Sequence, residues 1–443
     1  MLKYFVETNW RRWTTTTTLA ACTVLILTAG APAAHAQRLS TQDEARRLGL
    51  TRAWFAQARL DPSRNQVENA VLAGDRLSVL TSAGLLQEFN ALTGETLWIA
   101  PVGRPDHPSL GPAGNEQLVA VLNGSTLYVL DRVDGRPVKI RPVGGAPGAA
   151  PAVSGKHVFV PLLIGRIEGY PLEEKILTPW YYQSFGRAMV APLVTAESFV
   201  WATDAGRLYV GRLEDLGVRF RLETGSEIAA PPAARRPFVY AATVAGEVFA
   251  MHELTGARRW KYATGYPVMR APAAVEDRVF VTSDEPALHC IDATKGTALW
   301  EAPNITQFAA LSGERVYGVN ELGQLVALDA ATGVLLGRME TDLATNALVN
   351  DQTDRIYLVS KDGLIQCLHE LGAEKPLYHK PLATEAEQPA EGAETEPAPP
   401  DAAAPVEPDT DDGPSPFGEE SDEAEMPAEE SPFGVDDDNP FEF

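Results

Sequence analysis

Seven glycines at nearly constant spacing constrain this chain more than any other feature. Gly84, Gly124, Gly165, Gly206, Gly246, Gly323 and Gly363 are separated by 40, 41, 41, 40, 77 and 40 residues. The 77-residue step spans two units, and the skipped unit carries Asp284-Glu285-Pro286 where the others carry glycine. An aromatic marker runs in phase: Trp98, Trp180, Phe220, Trp260 and Trp300. The unit without an aromatic has Lys139, 41 residues from both Trp98 and Trp180. Two independent markers sharing one period define an internal repeat.

Each unit reads strand, tight turn, strand, turn, strand. In the sixth, Arg278 to Ser283 is followed by Leu288 to Asp292 and by Thr297 to Trp300, and the segment near Val268 to Ala274 supplies a fourth. Four short strands in some forty residues is the size of a propeller blade. Eight units fit between Val67 and Leu382. The expected fold is all-β: an eight-bladed β-propeller of four-stranded antiparallel blades. A parallel β-helix, with shorter coils and no internal hairpins, fits the turns less well. An open ring would expose sheet edges, so one terminus must complete a blade begun by the other. Thr51 to Ala58 and Lys375 to Pro381 both qualify.

Glycine suits turns that need positive φ. Asp329 and Thr332 can bond backbone groups of the loop they bracket. Trp98, Trp180, Phe220, Trp260 and Trp300 are expected to dock neighbouring blades. Cys290 and Cys367 hold the same place in units six and eight, a blade too far apart for a disulfide, and are expected to be buried thiols.

Gly323-Gln324-Leu325-Val326-Ala327-Leu328-Asp329-Ala330-Ala331-Thr332-Gly333 resembles the pyrroloquinoline quinone (PQQ)-like β-propeller repeat, as do Gly124 to Asp131 and Gly246 to Trp260. The likeness covers about residues 67–382, and units three and four lack the Asp-x-x-Thr-Gly turn. The quinoprotein dehydrogenases of this family bind PQQ and calcium, and many join two adjacent cysteines. This chain has no adjacent cysteines, no GxSxG, HExxH or P-loop, and no recognisable Glu/Asn/Asp set. No catalytic residue, cofactor or metal is therefore expected. The resemblance to the family's non-enzymatic BamB-like scaffolds implies protein partners in the envelope, with outer-membrane assembly the leading case. A PQQ- and calcium-dependent periplasmic oxidoreductase and another envelope adhesion module are the alternatives.

Residues 1–36 read as an export signal. Arg11 and Arg12 precede an apolar stretch from Leu19 to Ala31, and Ala34-His35-Ala36 is a small-x-small cleavage site. Leu19-Ala20-Ala21-Cys22 also resembles a lipobox; membrane association follows only if Cys22 is lipidated. Residues 37–50 hold a short helix, with Thr41 and Glu44 placed for a capping box. The propeller spans 51–382. Residues 383–443 form an acidic, Pro-rich tail, with 21 Asp plus Glu and no Lys or Arg from Thr384 onward, and such a composition cannot offset ordering entropy. The net charge of −23 sits almost wholly in that tail. The body has no basic footprint for nucleic acid, and the tail repels it.

The chain is expected to be a monomer that meets its partners through loops before the inner strands: Arg187, Met189, Tyr266, Met269, Arg270, Gln307 and Phe308. Pro-Phe elements at Phe417, Phe433 and Phe441 are candidate docking motifs in the tail.

Overall fold

A computed structural model describes residues 39–173, 178–341 and 345–380. The segment expected to be an export signal, with Cys22, and the acidic tail, with Phe417, Phe433 and Phe441, lie outside the described residues.

Eight antiparallel sheets of four strands each follow one another along the chain. Blades one to seven occupy residues 67–101, 109–142, 152–183, 193–223, 233–263, 273–303 and 305–339. Within each blade the four strands pair in sequence order. The second and third strands are sandwiched between neighbouring blades, so both faces need apolar cover. They read as near-continuous apolar runs, as in Leu118–Asn123 and Arg278–Ser283. The fourth strand lies at the rim and alternates, as in Arg258–Ala263. The apolar clusters lie mainly between blades, joining for example the strands of blade six to those of blade seven.

Blade eight combines both ends of the chain. Its three inner strands, Thr345–Ala347, Ile356–Ser360 and Leu364–Glu370, come from the C-terminal side. Its outer strand is β1 (Leu50–Gln57), which pairs with Leu50 opposite Glu370 and Gln57 opposite Leu364. The rival closing segment adds no strand. Gly372, at φ 89°, turns the chain away from an edge that β1 already occupies.

Helix α1 (Gln42–Arg47) enters through the expected capping box. The Glu44 N–H donates to Thr41 Oγ1 at 3.2 Å, and the Thr41 N–H donates to Glu44 Oε2 at 3.0 Å. Its Ala45, with Leu48 just beyond it, packs with Leu50, Met339 and Leu368, where blades seven and eight meet. Cys290 and Cys367 are free and buried.

Candidate functional site

The repeated aromatics form the joints between blades. Trp98, Trp260 and Trp300 stand on outer strands and donate through Nε1 to carbonyls of the next blade: Arg132 at 3.0 Å, Ala293 at 2.8 Å and Ala330 at 2.9 Å. Each indole lies over the glycine of that loop. A Cβ on Gly296 would come within 2.4 Å of Trp260, and Gly296 also has φ 72°, so space and backbone both require glycine there. Phe220 covers Gly256 in the same way without an N–H. Trp180 meets Phe199 edge-on at 5.4 Å instead. Sequence reasoning omitted one member of the set. Trp54, on β1, donates to the Ala91 carbonyl at 3.0 Å and covers Gly94. Its signal was the likeness of Gly49–Trp54 to Gly94–Trp98.

Antiparallel strands alternate in direction. The loops entering each inner strand and the turns between second and third strands therefore share one face, called here the loop face. Arg187, Met189, Tyr266, Met269 and Arg270 all lie exposed on it. Met189, Ala229 and Met269 hold the same place in three successive loops, 40 residues apart. Two exposed methionines therefore flank a low point at Ala229. Phe185, 61% exposed, and Leu163 and Ile164 extend the apolar surface beside Met189; the sequence reading missed these three. The Arg207 guanidinium lies 4.0 Å from the Phe185 ring centroid. Arg187 is fixed by Asp204, which accepts from its backbone N–H at 2.7 Å and its Nε at 2.8 Å. Burial pushes the Asp204 carboxyl up, but these bonds and the arginine charge outweigh it and hold the carboxyl below its ordinary value. A cleft of about 130 Å³ beside Met269 and Arg270 is floored by Ser283, Asp284 and Pro286.

Phe308 does not belong to this surface. It is 3% exposed and stacks on Phe280, with ring centroids 4.6 Å apart. The loop expected before it is a single residue, Asn304 at φ 61°, so the strand Ile305–Ser312 has already begun and Phe308 fills the joint between blades six and seven.

One polar cluster resembles a nucleophile triad. His289 has Nε2 3.4 Å from Ser283 Oγ and Nδ1 3.7 Å from Glu301. The Ser283 hydroxyl, however, bonds the carbonyls of Glu285 and Ala287. Thr81, Thr203, Thr243 and Ser360 bond the carbonyl four residues on in the same turn of other blades. Tyr262 takes Nδ1 at 3.1 Å, closer than Glu301. Burial lowers the His289 pKa despite the opposing effect of Glu301. The arrangement is that of a satisfied turn. Among the described residues no group of three His, Cys, Asp or Glu is arranged to hold a metal ion.

The family profile described as outer membrane protein assembly factor BamB matches residues 186–368. The outer membrane protein assembly factor BamB of Burkholderia pseudomallei is 26% identical over 272 residues, 60% of this chain and 64% of that protein. A serine/threonine-protein kinase, AfsK of Streptomyces coelicolor, is 28% identical over 140 residues, 31% of this chain and 17% of the kinase. The chain thus spans less than two thirds of each of these relatives. Among solved structures, BamB from Moraxella catarrhalis superposes with a TM-score of 0.59 at 18% identity, covering 72% of this chain and 97% of that one. The computationally designed Ika8 protein superposes at 0.55 and 17% identity, covering 69% and 96%. These two share the fold. Repeat, closure and sequence likeness agree: the chain is an eight-bladed β-propeller, similar in its repeat to the PQQ-like propellers and over residues 186–368 to the BamB profile.

Proposed function

We propose that this chain is an exported, non-catalytic scaffold of the bacterial envelope that binds protein partners of outer-membrane assembly as a monomer. The reading takes 1–36 as export signal, 37–50 as the helical entry, 51–382 as propeller and 383–443 as acidic tail. The observation that carries it is the loop face of blades three to six. Phe185, Met189, Tyr266 and Met269 stand exposed there in a ring whose other repeated aromatics are spent on joints. Methionine surfaces adapt to a partner's shape, and aromatic residues with arginine are typical of protein contacts. The Burkholderia relative, an outer-membrane assembly factor by name, supplies the class of partner.

The test is crosslinking in cells followed by identification of what is captured, with the full chain and a Met189→Glu/Met269→Glu variant. Capture of outer-membrane assembly subunits by the full chain, lost in the variant at unchanged melting temperature, is the expected result. An identical capture list from both proteins counts against this face. Thermal stabilisation and dye reduction on adding PQQ and calcium would sink the non-catalytic reading.

A further inference from the structure

The described chain ends at the axis of the ring rather than at its rim. After Glu370 it runs back as residues 373–380 over the face opposite the loop face. Blade eight holds this strap first. Arg355, buried, donates to the carbonyls of Ala373 and Glu374 at 2.8 Å each. The Leu377 N–H donates to Asp354 Oδ1 at 3.0 Å, and the His379 N–H donates to the Gln352 carbonyl at 2.9 Å.

Its last residues then meet other blades. His379 Nδ1 lies 3.2 Å from Glu276 Oε1, in the first turn of blade six. Arg235, on the inner strand of blade five, donates to the Lys380 carbonyl and, at 3.4 Å, to the Asp351 carbonyl. Gln352 Oε1 accepts from the Gly74 N–H of blade one at 2.8 Å. Blades five and eight are not neighbours, so groups on their inner ends meet only over the axis. The His379 side chain is 1% exposed, and its Nε2 is buried without a hydrogen-bond partner. Leu377 and Tyr378 face outward, 49% and 61% exposed.

The geometry points to residues 373–380 as a releasable plug that closes the central channel on this face, latched at its tip by His379 on Glu276 and by Arg235 on the Lys380 carbonyl. The strap adds no strand to a sheet. Beyond its opening turn, its main chain meets the main chain of blade eight through the His379 N–H on Gln352 and the Asp354 N–H on the Leu377 carbonyl at 3.2 Å. Its other bonds to the ring run through side chains, and Leu377 and Tyr378 stand in water. Segments of that kind open below the global unfolding free energy. The ring itself is closed by β1 and does not depend on the strap.

Hydrogen exchange on the full chain at low denaturant tests release. The amides of Leu377 and His379 should exchange at least tenfold faster than those of Ile356–Ser360, and Glu276→Gln should speed the strap alone. Strap amides that exchange in step with Ile356–Ser360, unmoved by Glu276→Gln, overturn the proposal. Closure is tested with a cysteine at Gln352→Cys, comparing maleimide labelling in a chain stopped after Gly372 with one stopped after Ala383. Labelling at least tenfold faster in the shorter chain is expected. Equal rates overturn the plug, and a shorter chain that fails to fold overturns release, because the strap would then be part of the ring.

Discussion

The joints on either side of blade six and those around blade three meet one demand in different ways. At Trp260 and Trp300 an indole lies over a loop glycine and bonds a carbonyl of the next blade. Between blades two and three the same place holds Lys139, whose Nζ donates to the Pro171 carbonyl at 2.6 Å and the Glu173 carbonyl at 3.4 Å. Between blades four and five the two jobs are split. Phe220 covers the glycine, and its neighbour Arg219 reaches the Leu254 carbonyl at 3.5 Å. Between three and four the polar bond gives way to an aromatic stack. Phe159, Phe199, Trp201 and Tyr209 follow with centroids 4.2, 5.1 and 4.9 Å apart. What recurs is a filled gap, usually with a donor for the neighbouring carbonyl; the residue that supplies them changes.

Removing an indole joint should do the most damage. Trp300→Ala is expected to cost about 3–5 kcal/mol, read from denaturant unfolding, with Phe220→Ala costing less because no carbonyl loses a partner. Equal losses would break the distinction between the joints. Between blades one and two the indole has a second support. Glu88 and Arg132, 0% and 3% exposed, pair at 2.8 Å, and Ser78 donates to the other Glu88 oxygen at 2.6 Å. Glu88→Ala leaves a buried guanidinium unpaired and should cost about 3–5 kcal/mol.

Lys139→Met keeps the stem and removes the donor, so the carbonyls of Pro171 and Glu173 lose a bond. The expected loss is about 1–2 kcal/mol, smaller than that of Trp300→Ala. A loss as large would show the ammonium to be worth a whole indole.

The ring was legible in the sequence because its period is enforced by sterics. Glycines that must hold positive φ and aromatics that must lie over glycines cannot drift far. The eighth joint was harder to see, because Trp54 lies at the opposite end of the chain from the strands it completes. Phe308 was misplaced for a local reason. Counting from the repeat assigns it to a loop, but the link before blade seven has shrunk to Asn304. The irregular pairing between Phe308 and Ala310 then hides the strand alternation. The strap left no periodic trace, since residues 373–380 belong to no blade.

The two buried cysteines extend the comparison to pH. Cys290 packs in the regular joint of Trp300, and Cys367 packs with Trp54 in blade eight. Burial pushes each thiol up to about 12. An unfolded thiol ionises near 8.5, so a folded value above it favours the native state only while both forms are protonated. Stability should therefore fall as pH rises from about 8.5 toward 12. Cys290→Ala and Cys367→Ala should each flatten that fall. Slopes unchanged by both substitutions would show the thiols to be accessible to water.

The smallest effect concerns a second joint with no outer-strand aromatic, between blades seven and eight. Helix α1 is wedged there instead. Leu48 lies where a Cβ on Gly337 would come within 2.9 Å of it, and Arg315 donates to the Leu48 carbonyl at 3.2 Å. Thr41→Ala removes the capping hydroxyl and should cost about 1 kcal/mol of helix stability. If the helix does the work of an indole, that loss appears in global unfolding of the ring. If only the α1 amides exchange faster while the melting temperature stays put, β1 alone holds this joint, and the seventh gap is closed without a filler.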